Sequence, residues 1–219
     1  MIMKHLVTPY KQKDRWLPEI QGIEKYQKDN SRGYFYKGKL IPYSITQITD
    51  TRKDYVKKIH EDTQKDWEPR GNTAHHCLEQ FLKGRSYDPG EYKPLVDRLV
   101  NYWIWQEWEA IGCEYKLFDL KRGIAGTADM ILRNKKDHTR IAIADLKTKK
   151  DKITFLDYKA QIGGYINLMN LCYPELKIEE CFVIAASNTA IDMRVYDWNE
   201  CLDIYENQRR LFFDRLEVF

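Results

Sequence analysis

Apolar and polar positions along the chain alternate in two rhythms, one of period two and one of helical period. Residues 140–148, Arg-Ile-Ala-Ile-Ala-Asp-Leu-Lys-Thr, read as a β-strand that is apolar on both faces, the pattern of an interior strand covered on two sides. Alternation puts Ile141, Ile143, Asp145 and Lys147 on one face and Ala142, Ala144 and Leu146 on the other. Two further strands are predicted before it, at 113–120 and 126–133. The links, Lys121-Arg-Gly and Asn134-Lys-Lys-Asp-His, are short and turn-like, so the three strands form an antiparallel meander. After them, Thr154 is expected to cap a helix of about twenty residues carrying Ala160, Ile162, Tyr165, Ile166 and Met169 and ending before Pro174. Two strands at 180–186 and 190–196 follow, then a terminal helix from Asn199 to about Leu216.

The first half is less regular. Residues 1–32 are polar with little periodicity and read as an arm or irregular cover. Segments 34–36 and 39–41, separated by Lys37-Gly38, predict a short hairpin. Ser44-Ile-Thr-Gln47 has the form of a capping box, and a second helical segment is expected from Asp50 to Trp67, with Tyr55, Val56 and Ile59 on its inner stripe. Pro69 then falls at the first turn of a helix over 70–82, ended by Lys83-Gly84, whose apolar face is Leu78, Phe81 and Leu82. A long helix is predicted from Pro94 to Ile111, with Leu95, Leu99, Trp103 and Trp108 facing the core, Trp105 on another face and Gly112 closing it. The pattern as a whole predicts a mixed α/β fold: residues 1–43 as an arm and hairpin, and 44–219 as a single domain with a central sheet flanked by helices.

Composition narrows the class. A hydrophobic fraction of 43% over 219 residues is enough for one well-cored domain with a helical elaboration. No stretch approaches the ~18 uninterrupted apolar residues of a membrane span, and Met-Ile-Met-Lys-His lacks a signal-peptide core. The expectation is a soluble cytoplasmic protein with no membrane partner. Five cysteines lie far apart with no C-x-x-C, which argues against a disulfide framework and against zinc or iron–sulfur ligation, and for buried thiols. The net charge of +3 is too mild to demand a polyanionic partner. Two basic clusters flank the central strand, Arg133-Asn-Lys-Lys136 and Lys147-Thr-Lys149-Lys150-Asp-Lys152. Such a run is commonly a solvated face, and gains meaning only from what lies beside it.

Chemistry concentrates on the strands. An apolar run that delivers a carboxylate and an ammonium two residues apart leaves charges at the end of a core strand, where a salt bridge, a metal ion or a bound anion must compensate them. The neighbouring strand, Gly126-Thr-Ala-Asp129-Met-Ile-Leu132, also carries an interior carboxylate. If the strands pair side by side, Asp129 and Asp145 converge on one hard cation, and oxygen ligation with open positions suits Mg²⁺ or Mn²⁺. Lys147 cannot ligate a metal but can orient water or neutralise phosphate charge. That is equipment for phosphodiester hydrolysis. On the preceding helix, His75 and Glu79 share a face at i and i+4, although a helical histidine is more often packed or solvated than a ligand. Gly163-Gly164, inside a helix at a cost of about 1 kcal/mol per residue against alanine, predict a close backbone approach.

The order Gly71-x-x-x-His75, Gly126-Thr-Ala-Asp129, Asp145-Leu-Lys147-Thr and Gln161-x-x-x-Tyr165 resembles the RecB-type branch of the PD-(D/E)XK nuclease superfamily. That branch includes phage exonucleases, mitochondrial genome-maintenance exonucleases and CRISPR-associated adaptation nucleases. The four motifs fall on a predicted helix, strand, strand and helix, and the likeness covers about residues 43–197. It implies a restriction-endonuclease-like α-β-β-β-α-β core with an N-terminal helical elaboration. It also implies metal ligation by His75, Asp129, Asp145 and the backbone carbonyl of Leu146, with Lys147 positioning the attacking water. Gln161 and Tyr165 would hold the DNA backbone or support the site, as would Lys149 and Lys150. Glu114 matches a position where related exonucleases carry an acid, and Glu79 would support His75. The activity implied is a Mg²⁺- or Mn²⁺-dependent exonuclease acting on single- or double-stranded DNA with an end, in recombination, repair or degradation, and leaving 5′-phosphate products. The cysteine spacing of the iron–sulfur relatives is missing, so no cluster is expected, and Gly-Thr-Ala replaces the usual proline before the second acid. A structure-selective or restriction-type endonuclease, or a non-catalytic DNA-binding protein on the same fold, are the alternatives. A small-molecule phosphohydrolase would need a phosphate-binding Gly-rich loop that is not visible.

Overall fold

A computed structural model of the chain describes residues 6–28 and 31–216, so the Met-Ile-Met-Lys-His terminus lies outside the described residues. The fold is mixed α/β, built as a sheet between two helical layers. β1 (Ile23–Lys28), β2 (Ser31–Tyr36) and β3 (Lys39–Ile41) form a small antiparallel sheet. Its β2–β3 hairpin turns through Lys37 (φ 49°) and Gly38 (φ 77°), the paired left-handed conformation of a tight two-residue turn. Among the described residues the irregular cover expected over 1–32 runs from Leu6 to Gly22. Beyond it Ile23 to Lys28 pair with β2, because a charged six-residue run shows its strand character only once a partner supplies the ladder. Val7, Tyr10, Leu17 and Ile20 of the preceding segment are buried in the main core.

β4 (Tyr43–Ser44) leads into α1 (Ile45–Thr49) through the predicted capping box: Ser44 Oγ accepts the Gln47 N–H (3.2 Å) and Gln47 Oε1 accepts the Ser44 N–H (2.7 Å). The helix expected over 50–67 is two helices, α2 (Asp54–Asp62) and α3 (Gln64–Leu82), broken at Thr63, whose hydroxyl donates back to the Ile59 carbonyl. Trp67 belongs to α3, and Pro69 lies inside that helix rather than in its first turn, removing one helical hydrogen bond. Ile59 is exposed, not internal, because α2 lies beside α3 at the periphery; the Tyr55 side chain lies outside the described residues.

The helix predicted over 94–111 is also corrected. α4 (Lys93–Val100) ends where Asn101 Nδ2 donates to the Asp97 carbonyl (2.8 Å), α5 (Ile104–Glu107) is one turn, and β5 (Trp108–Asp119) enters the sheet. Helical spacing of the aromatics lost to strand pairing, which buries Ala110 and Ile111 completely. Gly112 is therefore a strand residue beside a bulge. Trp103 is exposed, whereas Trp105 is buried with its indole N–H on the Leu99 carbonyl (2.6 Å), the reverse of the predicted faces.

β6 (Ile124–Asn134) and β7 (Ile141–Thr148) complete the antiparallel meander. α6 (Lys159–Cys172) crosses over to β8 (Ile178–Ala186), parallel to β7; β9 (Ile191–Tyr196) returns antiparallel, and α7 (Trp198–Leu216) closes the described chain. α6 starts at Lys159 without a side-chain cap, so Thr154 is not its N-cap. The stretch before it is instead held by packing, with Phe155 against the core and the Arg194 guanidinium over its ring (4.6 Å).

The two faces of β7 fall as alternation requires. Ile141 and Ile143 meet α6 and α7 residues such as Ile162, Ile166 and Tyr205, while Ala142, Ala144 and Leu146 meet the Ala74, Leu78, Leu95 and Leu99 side of α3 and α4. The glycine pair in α6 answers to α7: a Cβ on Gly163 would sit 2.0 Å from the Cys201 carbonyl oxygen, and one on Gly164 would press on Ile45 and Tyr205. All five cysteines are buried and free, and among the described residues no helix is long and apolar enough to cross a membrane.

Candidate metal centre

A strand has two edges, and those of β6 are used unequally. β5 pairs along one edge over nearly its whole length. The other is divided: β4 pairs with Ile124 and Ala125, and β7 with Met130 to Arg133. Among the described strands, residues 126–129 are left without a partner on that edge, and this unpaired stretch is the Gly126-Thr-Ala-Asp129 motif. The β6–β7 ladder stops at Met130↔Ala144, one step before Asp129 would face Asp145. In place of a strand carbonyl, Asp129 Oδ2 accepts the Leu146 N–H at 2.8 Å. The N–H and C=O of one strand residue leave on the same edge, so the Leu146 carbonyl is turned toward the same gap.

Three side chains meet there. The pairs Cys113↔Met130 and Tyr115↔Ala128 bracket Glu114 and Asp129 on adjacent strands, and Glu114 has φ 45°, a left-handed conformation unusual for a residue with a side chain. His75 arrives from α3, and its Nδ1 lies 3.1 Å from Glu114 Oε1 and 3.7 Å from Asp129 Oδ1. Ligand atoms of His75, Glu114 and Asp129 all lie within 4.8 Å of one another. Burial would lower the His75 pKa, but Asp129 and Glu114 outweigh it and lift it to about 9, so in this arrangement an imidazolium faces the two acids and offsets part of their charge. Glu114 is held below the ordinary carboxylate range: burial opposes this, and His75 and Lys25, whose Nζ is 3.8 Å away, prevail.

Asp145, expected to share the cation with Asp129, is not among the residues within that 4.8 Å group; it lies on the α6 side, near enough for the charges of Asp129 and His75 to act on it. It is 1% exposed; Lys147 Nζ lies 2.6 Å from its Oδ2, yet the contact is not aligned as a hydrogen bond, and both carboxylate oxygens lack a hydrogen-bond partner among the described residues. Burial pushes its pKa up to about 6, with Lys147 pulling down and Asp129 pushing up. Lys147 is lodged between Asp145, Gln161 Oε1 (3.2 Å) and the Tyr158 ring (5.0 Å). Burial disfavours its charge, but Asp145 and Asp129 raise its pKa above the usual value, so it stays an ammonium. Gln161 Nε2 in turn donates to the Tyr165 hydroxyl (3.0 Å). Tyr165 is only 4% exposed and supports Gln161 rather than meeting a strand of nucleic acid.

The remaining sequence candidates separate. Glu79 lines the cleft beside His75 and Leu146, but its carboxylate is taken by Lys83 Nζ (2.6 Å), while Glu114 supports His75. Lys149 Nζ reaches the Tyr158 hydroxyl (3.3 Å), and Lys150 is exposed. The basic cluster at 133–136 is not the open face it suggested. Arg133 is buried against Glu109, and Lys135 Nζ is bound to the Trp105 carbonyl (2.5 Å). Sequence reasoning reached Glu114 only through the resemblance, although it carries the same signal as Asp129, a carboxylate inside a strand. It missed Lys25 and Tyr158 altogether.

An imidazole nitrogen, two carboxylates and a backbone carbonyl, with a third carboxylate adjacent whose buried oxygens lack partners, form a donor set that suits a divalent cation such as Mn²⁺ or Mg²⁺. A much larger cavity, about 680 Å³, lies between α7 and the β5–β6 turn. Its arginines are already engaged, Arg122 by Asp119, Arg209 by Glu206 and Arg210 by Asn207, so the unsatisfied chemistry is at the strand gap.

No family model matches the chain, and no curated protein does. A solved structure titled "Crystal structure of SSO0001" aligns at a TM-score of 0.39 and 15% identity, over 77% of this chain and 75% of that one. Likeness at that level bears on neither fold nor activity, and the functional reading stands on the residues themselves.

Proposed function

We propose that the chain is a divalent-cation-dependent deoxyribonuclease, an exonuclease that hydrolyses phosphodiester bonds to 5′-phosphate products. The observation that carries the reading is the buried Asp145 carboxylate, whose one close partner among the described residues is the Lys147 ammonium at 2.6 Å, together with the nearby His75–Glu114–Asp129 trio. A fully buried carboxylate whose desolvation one ammonium does not cancel is costly, and the cost is offset when a second cation binds. His75, Glu114, Asp129, Asp145 and the Leu146 carbonyl would hold that cation, which would supply Lewis acidity and charge neutralisation at a phosphoryl oxygen.

The chain's own residues supply the rest. Lys147, kept charged by Asp145 and aimed by Gln161 and the Tyr158 face, can orient a water and stabilise negative charge that builds on the phosphate. Tyr165 fixes Gln161 from the core, so the lysine is positioned by a relay anchored in α6. The preference for DNA and for ends rests on the motif resemblance. Digestion of end-labelled linear DNA with Mg²⁺ or Mn²⁺, beside circular single- and double-stranded DNA, tests it. Loss of label from linear DNA alone is expected, abolished in Asp145→Ala and Lys147→Ala. Cleavage of circles would make the enzyme an endonuclease, and full activity in both variants would remove the mechanism.

A further inference from the structure

On the Lys147 side of the site, two cations, Arg70 and Lys149, lie near enough for their charges to act on each other, and among the described residues neither makes an ion pair. Arg70 is on α3, directly before Gly71, and the helix lies close to the end of β7 at that point: a Cβ on Gly71 would be 3.7 Å from Thr148 Oγ1. Lys149 follows Thr148. Its Nζ has a neutral neighbour, the Tyr158 hydroxyl at 3.3 Å, and its pKa is lowered by burial and by the charges of Lys147 and Arg70. Arg70 Nε is buried with no hydrogen-bond partner, and among the described residues Arg70 makes no ion pair. Arg52, Arg122, Arg133, Arg140 and Arg209 each hold a carboxylate. A guanidinium cannot escape such a place by losing its proton.

We infer that Arg70, with Lys149, forms a phosphate-binding subsite next to the metal centre, and that Arg70 grips a phosphate group of the substrate strand. Two uncompensated cations select an anion, and the planar guanidinium fork matches phosphate oxygens in pairs while lysine adds a point charge. The position also suits the chemistry: the carboxylates of Glu114, Asp129 and Asp145 repel a polyanion, and a cationic pair on the neighbouring stretch of α3 and β7 offsets that repulsion. The anion site stands on its own; that its phosphate belongs to a DNA strand rests on the nuclease reading.

Two measurements on the full chain separate these. With chelator present and no metal, pyrophosphate should raise the wild-type melting temperature, less so in Arg70→Lys and not at all in Arg70→Gln. With Ca²⁺ present, anisotropy of a labelled single-stranded oligonucleotide should show Arg70→Gln binding about tenfold more weakly, with the slope of log affinity against log salt reduced by about one. A loss confined to 5′-phosphorylated strands assigns the site to a terminal monoester, and an equal loss with 5′-hydroxyl strands assigns it to an internal diester. Oligonucleotide affinity and salt slope unchanged in Arg70→Gln would overturn the assignment. If wild-type protein binds no oligonucleotide, the nuclease reading fails, and the pyrophosphate response of Arg70→Gln alone decides the subsite. Should Arg70→Gln not fold, Arg70→Lys and Lys149→Gln carry the same comparison.

Discussion

Two ions are buried in the same sheet, Arg133 on β6 and Asp145 on β7, and their surroundings are opposite. Arg133, 5% exposed, gives Nε and Nη2 to Glu109 Oε1 (2.9 and 2.6 Å) and Nη1 to the Tyr10 hydroxyl and the Gln12 carbonyl (2.6 and 2.7 Å). The Nη1 contacts tie the N-terminal segment to the sheet, the Glu109 contacts tie β5 to β6, and each guanidinium nitrogen has a partner. Asp145, more deeply buried, has one misaligned ammonium and two carboxylate oxygens without a hydrogen bond. A saturated buried ion holds the fold together; an unsaturated one marks where something else must bind.

Swapping the charges tests that contrast. The largest effect is expected for Asp145→Asn: DNA hydrolysis should fall about a thousandfold while the melting temperature in chelator changes little, since the costly buried carboxylate is gone but the Lys147 ammonium loses its partner. Wild-type rates in this variant would break the comparison at its functional end. Next, Arg133→Met should cost about 3 kcal/mol in chemical denaturation, because Glu109, the Tyr10 hydroxyl and the Gln12 carbonyl lose their donor, with turnover per folded molecule unchanged. A smaller shift of opposite sign is expected for the pair Asp145→Asn with Lys147→Met, stable as wild type or up by about 1 kcal/mol when metal is absent. Destabilisation as deep as that of Arg133→Met would mean the two ions do the same work.

The smallest effect is one of pH. Burial pulls the His75 pKa down, but Asp129 and Glu114 raise it to about 9 from 6.5, so its contribution to stability is full below 6.5 and is lost as pH rises through 9. Asp145, raised by burial from 3.8 to about 6, has the same sign at lower pH, its share being lost as pH rises through 6. Metal-free protein should therefore melt at progressively lower temperature from pH 6.5 to 9, and Mn²⁺ should flatten the decline, since the ligands bind it deprotonated. A flat profile in chelator would show that the trio does not hold His75 charged.

Much of this was legible because it is local. Alternation alone set the two faces of β7 and put Asp145 and Lys147 on one side; the Ser44–Gln47 box and the Lys37-Gly38 turn are contacts between near neighbours. The Gly163-Gly164 pair announced a close approach but could not say by what, since α7 lies far along the chain. Where non-local pairing competed with local pattern, pattern lost: 94–111 broke because Trp108–Ile111 found β6, and Glu114 gained its place only through a left-handed backbone that no composition reveals.

The chain by itself determined which residues carry charge into an apolar sheet, because periods of two and 3.6 are written in consecutive positions. Tertiary structure decided that β4 and β7 would divide one edge of β6 and leave a gap between them, because hydrogen-bonding edges are shared among segments distant in sequence. In that gap His75, Glu114 and Asp129 come within reach of a single ion.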